Sequence, residues 1–325
     1  MHLQNNRFRH FSYCLRFGGV LILTALIAGL GGILLHEFLD LIEYLVFGHG
    51  ETSTTQAVSS KQFILIVLAG IISAILWCFL QRKNRQIISV KSQMKAENPA
   101  SRIPKLWIHL TNIFLQVASV GAGSPIGKEG APRELGALGA GRVSDYLKLT
   151  LQDRELAIAC GASAGLAAVY QVPVASIFFA FETLGLGISV LNLISILVTT
   201  ILASIVAGVV ISDAPLYETA QVTLDVKTAL LAMFLVVLIS PIAQLFRRLT
   251  QKAQAQKTTD HNVLWCLPLT FLLLASLSLI FPEILGNGAA LAQAVFDGMT
   301  VQYAAVIVVV KAFVVLLTLK NGAYG

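Results

Sequence analysis

Long apolar segments alternate with short polar segments along most of this chain. The apolar segments lie at residues 17–35, 63–80, 106–120, 156–181, 188–211, 228–246, 264–281 and 301–319. Several of them are long enough to cross a hydrocarbon core of about 30 Å, because an α-helix rises about 1.5 Å per residue. The pattern therefore predicts an all-α membrane protein in which several helices span the bilayer.

Two regions do not fit simple spanning helices. Residues 156–181 contain Pro173, which lacks a backbone N–H and disfavours a helical conformation at the preceding residue, so we expect a break near residues 171–173. The small residues between 161 and 168 let neighbouring helices approach closely. Residues 106–141 consist of short apolar pieces on either side of a glycine-rich joint. Paired broken helices are typical of transporters whose ligand binds near the bilayer midplane, so we expect a bundle of tilted and broken helices.

The composition supports the membrane class. Hydrophobic residues make up 56% of the chain and charged residues 12%, and the mean hydropathy is +0.77. Soluble domains contain about 25% charged residues. The net charge of +6 is concentrated in a few loops, which indicates membrane orientation rather than nucleic-acid binding.

The uneven distribution of positive charge among the loops predicts the orientation. The N-terminus and residues 81–105 are basic, whereas residues 36–60 are acidic. Because basic loops are retained in the cytoplasm, we expect residues 1–16 to form a cytoplasmic N-terminal segment, with residues 81–105 and 247–257 on the same side. No small-residue cleavage site separates the first apolar run from the acidic stretch, so we interpret this run as a spanning helix rather than a signal peptide. The prediction is a multi-pass protein of the cell inner (plasma) membrane.

A charged pair lies inside the glycine-rich joint. The segment from Gly121 to Pro132 contains Lys128 and Glu129 between two apolar stretches. Charges at membrane depth are costly, and non-helical backbone is tolerated there only against protein or a water-filled cavity. A broken helix that carries a carboxylate therefore suggests a permeation site. The alternative is a surface loop between two membrane helices, and the composition of this segment is compatible with both.

The sequence lacks the motifs of enzymes and cofactor-binding proteins. Ala122 and Glu129 stand where a phosphate-binding loop needs its first glycine and its serine or threonine. A dinucleotide fingerprint fails as well, because Gly121-x-Gly123 is followed by Ile126. The histidines and the four cysteines are far apart, without metal-ligand or disulfide spacing. We predict no enzymatic activity, no cofactor and no metal site.

At the glycine-rich joint the sequence resembles a known family. Residues 127–130 read Gly-Lys-Glu-Gly and are similar to the Gly-Lys/Arg-Glu-Gly-Pro signature of the CLC chloride channels and chloride/proton antiporters. About 30 residues later, residues 161–182 resemble the family's GAAAGLAAAF-x-AP-x-AG-x-LF-x-x-E segment. Residues 281–288 resemble the proline- and glycine-rich turn after the family's middle helices. The order and spacing of the three segments agree, and the similarity covers most of the chain from about residue 15.

The resemblance implies an architecture and a site. Members of the family contain two inverted halves of membrane helices and form homodimers with one anion pathway per subunit. Glu129 corresponds to the family's gating glutamate. The family's anion-binding loop corresponds to the backbone of Gly127, Lys128, Gly130 and Ala131. By the same resemblance, residues 17–325 form a CLC-type transmembrane domain that moves chloride or a similar halide across the lipid bilayer.

The chemistry of such a site follows from the backbone. Helix N-termini attract anions through unpaired N–H groups and about half a positive charge, and glycines let the backbone approach the anion closely. The Glu129 carboxylate occupies the place of the anion when it is charged and leaves that place when it is protonated. We assign Lys128 an electrostatic or structural role rather than direct contact with the anion.

Three positions depart from the family's pattern. Ala131 stands where the family usually has proline, although Pro132 follows. The nearest candidate for the anion-coordinating serine is Ser89, which has no flanking glycines and no proline directly after it. The internal proton-relay position corresponds to Thr183, with Glu182 as the neighbouring carboxylate. The missing carboxylate favours a channel, although some exchangers of the family function without it.

The sequence stops at Gly325, in the approach to the family's Gly-x-Phe-x-Pro motif. We therefore expect an inverted-repeat architecture whose second half is incomplete at the C-terminus. The principal functional prediction is a chloride pathway gated by a glutamate. A chloride antiporter coupled to protons is the alternative within transport, and a non-conducting or structural membrane protein is the alternative from another class. No nucleic-acid partner is expected.

Overall fold

The computed structural model describes residues 2–48, 57–81, 87–95, 104–212, 217–219 and 225–324. The regular elements in these ranges are helices, and they are separated by short connections. The α-helices are α1 (His2–Phe47), α2 (Ser60–Leu80), α3 (Val90–Met94), α4 (Leu106–Gly121), α5 (Gly130–Tyr146), α6 (Leu151–Tyr170), α7 (Pro173–Phe178), α8 (Val190–Ala207), α9 (Val226–Ala255), α10 (Val263–Ser278), α11 (Ala289–Phe296) and α12 (Val301–Lys320). A π-helical turn at Phe179–Thr183 continues α7, and a 3₁₀ turn lies at Pro282–Ile284.

Within the described ranges, five helices are long and apolar enough to cross a membrane. They are Tyr13–Phe47, Ser60–Leu80, Val190–Ala207, Val226–Ala255 and Val301–Lys320. The remaining apolar helices are shorter, and they include Leu106–Gly121, Pro173–Thr183 and Val263–Ser278. The predicted all-α membrane fold with broken helices is confirmed.

The chain forms two compact units. The first comprises Met1–Leu39, Lys83–Val117 and Lys128–Ala214. The second comprises Asp40–Arg82, Ala118–Gly127 and Pro215–Gly325.

In the first unit, α5 and α6 pack in opposite directions with their backbones in close contact. A Cβ added to Gly136 would lie 2.0 Å from the carbonyl oxygen of Gly161, and one added to Gly165 would lie 2.1 Å from that of Pro132. Only glycine fits at such distances, so the spacing of Gly161 and Gly165 brings the two helices together, as small residues do at membrane helix interfaces. The pairing places the end of α6 beside the start of α5.

A layer of alanines joins α6 to α1 and α8 in the same unit. A Cβ on Gly32 of α1 would lie 2.8 Å from the Cβ of Ala168. Small side chains leave room for the helix backbones to approach, which replaces the bulky core of a soluble protein. The buried members of the layer are Ala25, Ala28, Ala164, Ala168, Ala203, Ala207 and Ile211.

The predicted break in residues 156–181 is confirmed. Helix α6 ends at Tyr170, Gln171 adopts the left-handed conformation with φ 54°, and α7 begins at Pro173. Proline fits the first turn of a helix, where its missing N–H would have no intrahelical partner. The glycine-rich joint is confirmed in the same sense, because α4 ends at Gly121 and α5 begins at Gly130.

Two predicted loops are wrong in part, since the helices continue past the apolar runs. Helix α1 extends from His2 to Phe47, so its acidic residues lie on a helix rather than in a loop at residues 36–60. Helix α9 continues to Ala255, which leaves only the end of the predicted loop at 247–257 outside the helix. Glu, Gln, Lys and Arg are good helix formers, so a helix can continue into polar sequence. An apolar run therefore marks only the part of a helix that is compatible with the lipid core.

In the second unit, α10 packs against α2, and α12 packs against α9 and α10. The close contact of α2 and α10 again depends on a glycine, because a Cβ on Gly70 would lie 2.4 Å from the Cβ of Phe271. Trp77 and Phe271 are fully buried in this unit. After α10, the chain turns through the 3₁₀ segment toward α11 and α12.

Candidate functional site

Glu129 lies at the start of α5, where the glycine-rich joint ends. It is the N-cap residue of the helix, yet its side chain makes no capping hydrogen bond to the first turn. The first N–H groups of a helix have no intrahelical acceptors and carry a partial positive charge. A partly buried carboxylate thus stands next to backbone donors that attract anions.

The Glu129 carboxylate has a direct partner outside its own helix. The phenol of Tyr170 donates a hydrogen bond of 2.8 Å to Oε1 of Glu129. Nε of Arg133 donates to the backbone carbonyl of Glu129 at 2.7 Å, one helical turn along. The Nζ atom of Lys128 lies 5.8 Å from the centroid of the Tyr170 ring. A phenol and a guanidinium group therefore contact Glu129, and an ammonium group lies near the phenol ring.

Lys128 is almost completely buried, with 8% of its surface exposed. It lines a small cavity in the first unit together with residues of α1, α4, α5 and α6. The other lining residues are Leu35, His36, Leu39, Val117, Pro132 and Val169. The electrostatic or structural role of Lys128 stays a prediction.

The buried carboxylate of Glu134 ties α4 to α5. It accepts hydrogen bonds from His109 Nδ1 at 2.6 Å, Asn112 Nδ2 at 2.9 Å and Gln116 Nε2 at 3.0 Å. The N–H of Ile88 donates to His109 Nε2 at 3.4 Å, which assigns the imidazole proton to Nδ1. Three donors satisfy this carboxylate on the second turn of the helix that Glu129 begins, so the cluster fixes α5 against the polar face of α4.

The other positions of the predicted anion-binding loop adjoin Lys128 and Glu129 in the chain. Gly127 and Gly130 are partly buried, whereas Ala131 is completely buried. Pro132 follows within the first turn, where the absence of an N–H is tolerated.

The other three candidates lie elsewhere in the first unit. Ser89 is exposed, and its hydroxyl caps α3 by accepting a 3.2 Å hydrogen bond from the N–H of Ser92. Glu182 and Thr183 are exposed at the π-helical turn that follows α7. In the described part of the chain, no hydrogen bond or ion pair joins any of the three to Glu129.

Sequence reasoning missed Tyr170 and the Glu134 cluster. Tyr170 ends a helix just before the predicted break, and nothing in its local sequence points to Glu129. Part of the cluster could have been found in the sequence. Polar residues occur at positions 109, 112 and 116 of an otherwise apolar run, and this spacing places them on one face of a helix.

Fold and site together define a multi-pass, all-α membrane protein with broken helices around a partly buried carboxylate. The family model described as "Voltage gated chloride channel" matches residues 69–325. The chain belongs to this family, the CLC family, and the predicted resemblance is confirmed.

Curated relatives include the voltage-gated ClC-type chloride channel ClcB of Escherichia coli O17:K52:H18, with 31% identity over 210 residues. The ClcB of Citrobacter koseri is 29% identical over 217 residues. Each match covers 63% of this chain and 50% of the relative. The chain thus spans about half the length of the curated relatives it matches.

Solved structures of the same fold cover nearly all of the chain. A slow cyanobacterial Cl⁻/H⁺ antiporter matches with a TM-score of 0.76 and 18% identity, over 95% of this chain and 74% of the antiporter. A CLC-type fluoride/proton antiporter matches with a TM-score of 0.71 and 19% identity, over 95% of this chain and 76% of that protein. At these identities the likeness establishes the fold.

Proposed function

We propose that this protein provides a transmembrane pathway for chloride or a similar halide, with Glu129 as its gate. The observation that carries the proposal is the Glu129 carboxylate at the N-terminus of α5, held by Tyr170 rather than by its own helix. Family membership supports the assignment of halide as the ion, since the ClcB relatives are chloride channels.

The proposed gating is a competition between two anions for one electropositive place. The N–H groups that begin α5 attract either a halide or the ionised Glu129 carboxylate. Protonation neutralises Glu129 and opens the place to the halide. The backbone of Gly127, Lys128, Gly130 and Ala131 forms the anion-binding loop in this proposal. The hydroxyl of Ser89 caps α3 by accepting from the N–H of Ser92. In this proposal Ser89 coordinates the anion only after that capping hydrogen bond breaks.

Proton-coupled exchange is the second candidate. The fold likeness to Cl⁻/H⁺ and fluoride/proton antiporters favours it, whereas Thr183 at the internal proton-relay position, with Glu182 exposed beside it, favours a passive channel. A flux measurement that follows both ions separates the two.

We expect vesicles that contain the protein to release chloride when a potassium ionophore removes the opposing voltage. Uphill proton uptake driven by the chloride gradient identifies an exchanger, and chloride release without proton movement identifies a channel. Chloride release no greater than that of empty vesicles contradicts the proposal and favours a non-conducting membrane protein.

We also propose a cytoplasmic N-terminus, a location in the inner (plasma) membrane, a transmembrane domain at residues 17–325 and a homodimeric assembly. The basic N-terminus and the basic residues 81–105 support the orientation, and the bacterial origin of the ClcB relatives supports the location. Light scattering on the detergent-solubilised protein measures the oligomeric state, and a monomer contradicts the assembly.

The orientation predicts a labelling pattern for single cysteines. In a background without the four native cysteines, we expect a membrane-impermeant maleimide to label a cysteine at position 92 only from the cytoplasmic side, because Ser92 is exposed next to the basic loop. A cysteine at position 53, which lies outside the described residues, is expected to be labelled only from the opposite side. The reverse pattern overturns the orientation and leaves the family assignment intact.

A further inference from the structure

Lys311 lies in the middle of α12, a helix long and apolar enough to span the membrane. It is the only charged residue between Val301 and Leu319. An ionisable side chain at membrane depth is costly unless it has partners, and its partners indicate its role. Glu283 contacts Lys311 through its backbone carbonyl, and its carboxylate accepts a hydrogen bond from the Tyr303 phenol at 3.3 Å.

The partners of the Lys311 ammonium group are backbone carbonyls. Nζ donates to four consecutive ones at distances of 3.4, 3.0, 3.2 and 3.0 Å, which belong to Glu283, Ile284, Leu285 and Gly286. An ammonium group has three donors and no acceptor, so the four oxygens share three N–H groups. The cation therefore lies where four peptide dipoles converge.

The shape of the 283–286 segment depends on this cation. Four carbonyl oxygens directed at one point lose their common partner if the ammonium group is removed, and unsatisfied backbone is costly away from water. The segment ends at Gly286, which has the left-handed φ of 64°, and Gly288 just beyond it has a φ of 105°. A Cβ on Gly288 would lie 3.4 Å from Cε of Lys311, so the chain wraps closely around the lysine.

The same segment holds the glycine-rich joint. The N–H of Gly286 donates a 3.0 Å hydrogen bond to the carbonyl of Gly123. Gly123 adopts φ 101°, and Leu285 lies 3.3 Å from the position that a Cβ on Gly123 would occupy. Gly123 belongs to the chain segment that continues directly to Glu129.

We propose that Lys311 is a positioning residue whose ammonium group acts as a tethered cation. It fixes the 283–286 segment and, through the hydrogen bond from Gly286 to Gly123, sets the conformation of the glycine-rich joint that leads to the gate. The inference rests on the proposed function, because it assigns the joint to the anion pathway. It gives a chemical reason for a lone lysine in a spanning helix.

The test combines a substitution with chemical rescue. Lys311→Ala leaves space for a small cation, and Lys311→Met keeps the aliphatic chain without the charge. Lys320→Met is the matched control, since Lys320 is exposed at the end of the same helix. Hydrogen–deuterium exchange of the peptides around Gly286 and Gly123 measures the local structure, and vesicle flux gives the chloride concentration for half-maximal rate.

We expect both Lys311 variants to exchange about tenfold faster at Gly286 and Gly123, as the loss of a few hydrogen bonds implies. The half-saturating chloride concentration is expected to rise, with the Lys320→Met protein unchanged. Ammonium at equal concentration on both sides of the vesicle should restore protection and chloride affinity to Lys311→Ala. Tetramethylammonium, which has no N–H donors, should restore neither. If the Lys311→Ala protein folds and can be purified only when ammonium is present in the medium, that result also supports the proposal.

Unchanged exchange and flux in both variants overturn the inference, and so does a flux defect without faster exchange at Gly286 and Gly123. Failure of the proposed function is distinct, because the wild-type protein then conducts no chloride at all. The exchange and rescue measurements still report in that case whether Lys311 holds the joint.

Discussion

Replacing Glu129 with glutamine is expected to make chloride flux nearly independent of pH and to abolish any proton coupling, while anion passage persists. Glutamine has the shape of the protonated acid and carries no charge, so it cannot compete with chloride for the start of α5. The phenol of Tyr170, 2.8 Å from Oε1 of Glu129, can donate to a glutamine oxygen in the same place. A single titrating gate changes flux by up to about tenfold per pH unit, and the acid-to-neutral flux ratio should fall to about one in the variant.

Glu182→Gln is the matched control for this prediction. Glu182 is an exposed carboxylate beyond the α6–α7 break, in the same unit as Glu129, and its loss should change the pH profile much less. Flux measured over a series of pH values with both variants and the wild type distinguishes the two glutamates. If the Glu129→Gln protein keeps the wild-type pH profile and the Glu182→Gln protein loses it, the gate has been assigned to the wrong carboxylate.

Tyr170→Phe extends the same experiment to the residue that the sequence did not reveal. The change removes the hydroxyl that binds Glu129 and keeps the ring near Lys128. The hydroxyl holds the Glu129 carboxylate by a hydrogen bond, so its loss should weaken the competition of Glu129 with chloride and lower the half-saturating chloride concentration a few-fold. An unchanged half-saturating concentration would mean that the Tyr170 contact does not influence Glu129.

The breaks in the helices could be predicted because proline and glycine act on the local backbone. Pro173 begins α7 as expected, and the glycine-rich joint separates α4 from α5. The ends of α1 and α9 could not be placed by the same means, because hydropathy follows the lipid-compatible part of a helix whereas hydrogen bonding continues through Glu, Arg and Lys.

The partners of Glu129 could not be predicted because they depend on how helices pack. Tyr170 meets Glu129 only because α5 and α6 run in opposite directions in close contact. The polar face of α4 was visible as a periodicity, but its acceptor, Glu134, was not. Ser89 is the opposite case, because the sequence suggested a role that the structure does not show. The family pattern points to an anion contact, whereas the hydroxyl of Ser89 caps α3.

Gly165→Ala is expected to destabilise the first unit strongly and to separate Tyr170 from Glu129. The added methyl group would lie 2.1 Å from the carbonyl oxygen of Pro132, which is backbone and cannot move aside as a flexible side chain does. Overpacking of a tight interface costs about 1–3 kcal/mol or more. Because Gly165 contacts the first turn of α5, we expect both a lower unfolding midpoint and an altered pH profile of flux.

Gly18→Ala is the matched control, because Gly18 also lies inside a helix but has no atom within 4 Å of an added Cβ. Alanine is a better helix former than glycine by about 1 kcal/mol, so this variant should be as stable as the wild type or slightly more stable. Size-exclusion profiles of detergent extracts after heating give the unfolding midpoints of both variants. Equal unfolding midpoints for the two variants would show that α5 and α6 can move apart without loss of stability. The contact of Gly165 with α5 would then not be what holds Tyr170 against Glu129.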